Sequence, residues 1–406
     1  MNAIRLLTLI GALVFAAIGM SAPLITLFLE ELGSNYRGIS LILASAGLVA
    51  LLANYAWGRV SDRIGRRKPL IVAGLLGAAC AYIVLSLVSA PAAAWAARLG
   101  EAAAMAAYGT ASLALMGDLL GGGDQGDRRG VRIGAYRGIA SLAFAGGAVV
   151  GGPLADAYSL RVMLAACGGL YALAGVAALG LREAAPVAVT QEPVAETPSG
   201  RPKGARSPLP FAFLAGVFLW MAAHMGASSM WPNFMATLGY SKSAISGLWG
   251  LAAFTEAPSM LVVGRLSDAI GRAPLLVAGA LGMVGVDLGY IFLSRVLAPL
   301  LGVQLLRGFS YASYTATAMT FAAERGNRQT RGRSTGTFNA ASSAGHLAGL
   351  LLAGTIAQAR GFPFMFAVFA GAMLLSAVCF VLLQRRLLKA ARPDSLRHQG
   401  TAASTE

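Results

Sequence analysis

Twelve apolar stretches, each long enough to cross a membrane as a helix, constrain this chain more than any other feature. A helix needs about 20 apolar residues to span the hydrocarbon core, whereas a β-barrel strand shows only about ten alternating residues. The stretches predict an all-α membrane protein with 12 transmembrane helices. They cover residues 6–30, 38–58, 70–90, 92–118, 133–157, 160–181, 210–236, 244–264, 274–295, 297–323, 333–358 and 362–384. Only 12% of residues are charged, against about 25% in soluble proteins, which excludes a soluble enzyme.

The distribution of positive charge predicts the orientation. Of the 32 Lys and Arg residues, 24 fall on one side of the predicted spans, five on the other and three inside them. Because cytoplasmic loops carry the excess of Lys and Arg, both termini are expected in the cytoplasm, as in a multi-pass protein of the inner cell membrane. The net charge of +15 then reflects topology, and no nucleic-acid partner is expected. The three cysteines lie far apart without metal-ligand spacing, so no metal site is predicted.

The two halves of the chain match each other at an offset of 206 residues. "GRVSDRIGR" (58–66) aligns with "GRLSDAIGR" (264–272), Tyr108 with Tyr314, and Asp118 with Glu324. A proline-rich stretch at 182–209 separates the halves and has the composition of a flexible linker. The predicted organisation is a six-helix bundle (1–181), a cytoplasmic linker (182–209), a second bundle (210–386) and a cytoplasmic tail (387–406). Parallel repeats of this kind form transporters with a cavity between the halves.

"GRVSDRIGRRK" (58–68), between the second and third spans, resembles the cytoplasmic signature loop of the major facilitator superfamily. The resemblance covers nearly the whole chain, and it implies alternating access by two six-helix bundles. It also implies that Asp62 holds the cytoplasmic side closed with Arg66 as its partner, while Gly58 and Gly65 permit a tight turn. The remaining members of this predicted cytoplasmic gate are Asp118, Gly264, Asp268 and Arg272.

Ionisable residues inside the spans are candidates for proton coupling, because a charge within a membrane is costly. Glu256 lies in the middle of the eighth span, where burial disfavours its ionised form and suits a group that binds and releases a proton. Arg307 on the tenth span is its expected counter-ion. Arg98 and Glu101 lie three residues apart on the fourth span, and either they handle protons or they neutralise each other.

The expected substrate cavity contains His224, Trp220 and Asn233 of the seventh span, together with Tyr108 and Tyr314. A structural role for His224 is an equal alternative. Asp287 lies on the ninth span, which is peripheral in the superfamily, and receives no role. The fifth span, "GIASLAFAGGAVVGGPLAD" (138–156), partly resembles the Gly-Pro motif of drug antiporters, although Asp156 stands where that motif has a glycine.

These features predict a secondary transporter that exports an amphipathic small molecule in exchange for protons. An enzyme is not predicted. The alternative is a proton symporter that takes up a sugar, a nucleoside or an organic anion; a receptor or channel is a remote third. No Walker A pattern is present, so the proton gradient is the expected energy source and no cofactor is predicted. The expected partners are the substrate, protons and the lipid bilayer, and the protein is expected to be a monomer.

Overall fold

The computed structural model describes residues 3–121, 129–181, 209–325 and 331–391, which form 13 helices and no strand. Twelve helices are long, and the short α2 continues the first span beyond a break at residues 22–24, where Pro23 lacks a backbone N–H. The helices are α1 (Ala3–Ser21), α2 (Ile25–Glu31), α3 (Tyr36–Ile64), α4 (Lys68–Leu87), α5 (Pro91–Gly121), α6 (Arg129–Ala157), α7 (Leu160–Leu179), α8 (Phe211–Thr237), α9 (Lys242–Ile270), α10 (Arg272–Leu293), α11 (Leu297–Glu324), α12 (Arg331–Arg360) and α13 (Phe362–Ala391).

Nine of the helices in the described ranges are long and apolar enough to cross a membrane, judged by length and composition. The three other long helices are α5, α9 and α11, and these carry Arg98 with Glu101, Glu256, and Arg307 respectively. All-helical architecture is the expected solution in lipid, because a helix satisfies its backbone hydrogen bonds within itself. The predicted all-α class is confirmed.

Local signals in the sequence determine where several helices begin and end. The side chains of Asn35, Ser159 and Ser241 accept hydrogen bonds from the first turns of α3, α7 and α9, at 2.8, 3.2 and 3.1 Å. Gly65 ends α3 in the left-handed region with φ of 65°, and Gly271 ends α9 with φ of 89°. A residue without a Cβ adopts such angles at no steric cost.

Helix packing divides the molecule into two halves. In the first half, α1 packs against α6 and α7, and α4 packs against α5 and α7. In the second half, α8 packs against α12 and α13, and α10 packs against α11 and α13. The halves meet chiefly where α3 contacts α12 and where α6 contacts α9. The predicted linker 182–209 lies outside the described residues except for Leu209, and the tail 387–406 is described only as far as Ala391.

Candidate functional site

A cavity of about 340 Å³ lies between the two halves. The first half contributes Phe15 of α1 with Ser141 and Phe144 of α6. The second half contributes polar and aromatic groups from α8, α9 and α11, among them His224, Trp249, Glu256, Arg307 and Tyr311. A cavity lined by both halves can change its access when the halves rock, so this is the candidate transport site.

Glu256 and Arg307 both face this cavity, but they do not form the ion pair expected from the sequence. Both residues belong to the described ranges, and no pair of their charged atoms lies within 4.0 Å. The Arg307 guanidinium instead lies over the indole of Trp249, with its carbon 4.3 Å from the ring centre. Because the face of the Trp249 ring lies against the Arg307 cation, the ring is a favourable partner for Arg307 in place of a carboxylate. Glu256 and Arg307 therefore line the same cavity without forming an ion pair.

Aromatic rings form the wall behind the cavity. The rings of Trp220 and Tyr314 stack nearly parallel at 3.6 Å between centroids, and both side chains are buried. His224 packs between Trp220 at 4.8 Å and Tyr311 at 5.0 Å. Of the five residues predicted for the cavity, only His224 lines it, while Trp220 and Tyr314 support it from behind.

Two predicted cavity residues lie elsewhere. Tyr108 is buried inside the first half, where its backbone and Cβ pack against Gly74 of the neighbouring α4. Asn233 lies near the end of α8, and its Nδ2 donates to the Glu30 carboxylate at 2.5 Å and to the Thr26 carbonyl at 3.3 Å. The prediction for both positions is wrong because helical rotation and depth, which a span assignment does not specify, decide which side chains reach the cavity.

Arg98 and Glu101 form a buried ion pair inside the first half. The Arg98 Nη1 and Glu101 Oε2 atoms are 3.0 Å apart, and the side chains are only 15% and 12% exposed. Their spacing of three residues on α5 places them on one face of the helix. The pair therefore neutralises itself, and neither residue lines the cavity between the halves.

At one end of the molecule, which we call the latch end, polar contacts join the two halves. This is the end where α2 and α6 finish and α9 begins. The Glu31 carboxylate pairs with Lys242 Nζ at 3.1 Å. The Asp156 carboxylate accepts hydrogen bonds from the Lys242 amide at 3.2 Å, the Ser243 amide at 2.8 Å and the Ser243 hydroxyl at 2.5 Å. We call these contacts, together with the hydrogen bond from Asn233 to Glu30, the latch. Its residues are Glu30, Glu31, Asp156, Asn233, Lys242 and Ser243.

Close backbone approach accompanies the latch. The Gly354 amide of α12 donates to the Ser40 hydroxyl of α3 at 2.7 Å, and the Tyr36 amide donates to Gln358 Oε1 at 3.1 Å. A Cβ at Gly354 would overlap the Tyr36 carbonyl, and a Cβ at Gly152 would lie 2.5 Å from the Lys242 carbonyl. The halves are thus pressed together at the latch end only because glycine stands at these crossings.

The opposite end carries the loop 58–68, and we call it the signature end. Asp62 pairs there with Arg67 at 3.3 Å, so the predicted partner Arg66 is wrong. The left-handed turn at Gly65 folds the chain back and also brings Arg67 within 2.5 Å of the Ser61 hydroxyl. Gly58 lies inside α3, and the turn is made by Gly65 without it. Asp62 is 79% exposed, and its pair joins residues of one half.

The second copy of the signature loop holds a fuller network. Arg272 pairs with Asp268 and with Glu324, each at 2.8 Å, and also donates to the Ser267 hydroxyl at 2.8 Å. A Cβ at Gly264 would meet nothing within 4 Å, so packing does not require that glycine here. The side chain of Asp118, which aligns with Glu324, lies outside the described residues.

The sequence reasoning missed two carboxylates. Asp156 was noted only as a departure from a glycine motif, although its position at the end of a span faces the start of another helix. Asp287, set aside as peripheral, is only 3% exposed. Its signal was present in the sequence, since an acid inside an apolar span is costly and marks a candidate functional residue. Within the described ranges, no three His, Cys, Asp or Glu side chains gather as a metal site requires.

The chain resembles known transporters along its whole length. A family model described as Major Facilitator Superfamily matches residues 7–296 and 213–404. A protein of Deinococcus radiodurans named "Putative sugar efflux transporter" is 28% identical over 320 residues, covering 78% of this chain and 81% of that protein.

Solved structures share the fold at low sequence identity. The nucleoside transporter NupG has a TM-score of 0.77 at 15% identity, covering 94% of this chain and 99% of its own. A bacterial homologue of the human lysosomal transporter Spinster, in an inward-facing and occupied conformation, has a TM-score of 0.76 at 15% identity and covers 97% and 98%. The human organic anion transporter MFSD10 has a TM-score of 0.64 at 18% identity and covers 93% and 98%. With two halves around a shared cavity and a family model that spans both, the chain is a membrane transporter of the major facilitator superfamily.

Proposed function

We propose that this transporter exports an amphipathic small molecule in exchange for protons, and that Glu256 is the proton carrier. The observation that carries the proposal is the position of Glu256 in the cavity between the halves, beside Arg307 but not bound to it. A carboxylate that keeps no permanent counter-ion can bind and release a proton as access to the cavity changes. The sugar efflux name of the relative that is 28% identical supports export.

The cavity lining supports a cargo with both apolar and polar faces. Trp249, Tyr311 and Phe144 offer aromatic surfaces, while Glu256, Arg307 and His224 offer hydrogen-bonding groups. A sugar or another compound with hydroxyl edges and apolar faces suits such a lining. The volume of about 340 Å³ lies at the small end of ligand sites, which favours a cargo of one or two rings.

The charge distribution supports an orientation for this cycle. With the signature end in the cytoplasm, as the excess of Lys and Arg there suggests, the latch closes the outer side. The cavity then faces inward, where it would release its proton and take up cargo. The transporter works as a monomer in the cell membrane, with both termini in the cytoplasm and the proton gradient as its source of energy.

A second candidate function is proton-coupled uptake of a sugar, a nucleoside or an organic anion. Arg307 favours it, since its Nη1 has no hydrogen-bond partner among the described residues and the side chain faces the cavity. A buried guanidinium with a free N–H group is a natural site for a carboxylate or phosphate. The absence of an acid between Leu6 and Leu29, inside the first span, also fits uptake.

Transport by reconstituted protein under imposed pH gradients tests the proposal. We expect one of three probes, radiolabelled lactose, radiolabelled uridine or ethidium, to move against the direction of proton flow. Glu256→Gln should abolish movement driven by the pH gradient but retain exchange of labelled for unlabelled probe, because the neutral side chain no longer carries a proton. Glu256→Asp keeps the carboxylate and should retain coupling.

The competing outcomes are distinct. Undiminished pH-driven transport by Glu256→Gln would show that another group carries the proton. Movement of the probe together with protons would favour the uptake function. Flux that ignores the pH gradient in the unmodified protein would indicate a passive channel.

A further inference from the structure

Behind the cavity, the interface of α10 and α11 buries a carboxylate that the proposed function does not use. Asp287 of α10 is 3% exposed, and its Oδ2 has no hydrogen-bond partner in the described part of the chain. On either side of it, Gly285 and Gly289 face Leu306 and Val303 of α11, which places Asp287 at the level of residues 303–307 on that helix. A buried acid without a hydrogen bond is rare in a folded protein and calls for a functional reason.

Three buried donors in this part of the second half also lack partners. Gln304 Nε2, Arg307 Nη1 and Trp231 Nε1 are all buried and unpaired within the ranges that the structure covers. The Tyr290 hydroxyl lies 3.5 Å from Gln304 Oε1, and its ring lies 5.7 Å from that of Trp231. The packed helices α10 and α11 therefore bury an unpaired acceptor on one helix and unpaired donors on the other.

The internal repeat shows how the surroundings of Arg307 differ from those of Arg98. At the offset of 206 residues, Arg98 and Glu101 of α5 align with Gln304 and Arg307 of α11. The first half closes its pair on itself at 3.0 Å. In the second half the same two positions leave one positive charge with no acid on its own helix face, since residue 304 is a glutamine. Asp287 on the neighbouring helix is placed to replace that missing acid.

We propose that Asp287 is a second counter-ion of Arg307, sharing it with Glu256, and that this positioning residue sets how readily Glu256 binds a proton. The inference rests on the proposed role of Glu256 as proton carrier. The titratable and charged groups nearest the cavity on α10 and on the helices packed against it are as follows. Arg307 comes from α11, Glu256 from α9 and His224 from α8, Tyr290 shares α10 with Asp287, and α13 contributes the apolar Phe366.

The charge balance explains what Asp287 adds. Without it, protonation of Glu256 would leave Arg307 as an uncompensated charge away from water, which opposes proton binding. With Asp287 ionised, the three side chains of Asp287, Arg307 and Glu256 together carry no net charge when Glu256 is protonated. They carry one negative charge when Glu256 is ionised. The cavity then alternates between neutral and negative, which suits a neutral or cationic cargo and disfavours an anionic one.

Proton binding can be followed without knowing the cargo. Because the Arg307 guanidinium stacks on Trp249, the fluorescence of Trp249 in the purified full-length protein should report changes in the charge of the group. The probe is the proton itself, applied as a pH titration in detergent micelles. Trp249→Phe identifies the part of the signal that belongs to this residue, and Glu256→Gln identifies the midpoint that belongs to Glu256.

Asp287→Asn should lower the pH midpoint of the Glu256 transition by about one pH unit, because Arg307 then acts on Glu256 alone and favours its ionised form. Ser310→Ala is the matched control, since Ser310 is fully buried on α11 and uncharged, and it should leave the midpoint unchanged. Asp287→Asn combined with Gln304→Glu supplies a carboxylate three residues from Arg307 and should return the midpoint toward that of the unmodified protein.

An Asp287→Asn midpoint equal to or above that of the unmodified protein would overturn the inference, as would a failure of Gln304→Glu to restore it. Should Asp287→Asn alone not fold, the double variant carries the test, and an unfolded double variant also counts against the inference. The failure of the proposed function looks different: the unmodified protein would then show no midpoint that Glu256→Gln removes.

Discussion

Asp156 offers the sharpest test of how the two halves are held together at the latch end. Its carboxylate bridges from the end of α6 to the first turn of α9, where it accepts hydrogen bonds from the amides of Lys242 and Ser243 and from the Ser243 hydroxyl. These amides have no partner within their own helix, and the helix dipole adds a favourable field for an anion. Asp156→Ala removes the charge and all three acceptor contacts.

The expected size of the effect follows from these contacts. A charge at a helix terminus contributes about 0.3–1 kcal/mol, and hydrogen bonds to an ionised group contribute about 1.5–3 kcal/mol. Asp156 is exposed, so water weakens both contributions, and when the halves separate water replaces the lost partners. We expect Asp156→Ala to reduce the free energy that favours the closed latch end by about 1–2 kcal/mol. This corresponds to roughly a 5–30-fold shift toward the state that is open at this end.

Distances between spin labels on the two halves measure this shift. Cysteines replacing Arg37 and Arg295 would place labels on exposed positions at the latch end, one in each half. The native cysteines, replaced by alanine in this background, are Cys80, Cys167 and Cys379. Asp156→Ala should increase the population at the longer distance by the factor given above.

Ser159→Ala is the matched control for Asp156→Ala. Ser159 caps α7 at the same end of the molecule, but its hydrogen bond to the Val162 amide stays within one half. Removing it should leave the distance distribution unchanged. An unchanged distribution in Asp156→Ala, or an equal shift in Ser159→Ala, would refute the reasoning that contacts between the halves set this equilibrium.

Two further predictions concern packing inside and between the halves. Glu101→Ala leaves the buried Arg98 without its partner at 3.0 Å, so we expect a loss of about 3–5 kcal/mol in stability, measured as a lower midpoint of thermal unfolding. Combining it with Arg98→Gln should recover part of the loss, and no recovery would argue against an isolated buried charge as the cause. Gly354→Ala places a methyl group against the Tyr36 carbonyl and should open the latch end in the same spin-label measurement. Gly336→Ala on the same helix, where a Cβ meets nothing within 4 Å, should have no effect.

The sequence by itself determined the number and order of the spans, because the length and apolar character of each stretch depend only on neighbouring residues. The repeat and the signature loop identified the superfamily in the same local way. The ion pair of Arg98 with Glu101 could also be predicted, because the two residues lie three positions apart on one helix. Glu256 and Arg307 were also found from the sequence, since a charge inside an apolar span is visible without knowing its surroundings.

Contacts between helices were decided only by the tertiary structure. The sequence places Asn233 on the correct helix but cannot say that its side chain reaches Glu30 rather than the cavity, because that depends on rotation and depth. Asp156 contacts the start of α9 and Asp287 lies against α11, and each partner is far away in the chain or on another helix. The sequence therefore shows which charges the membrane must accommodate, while the packing of the two halves decides which of them are paired, which face the cavity and which hold the transporter closed.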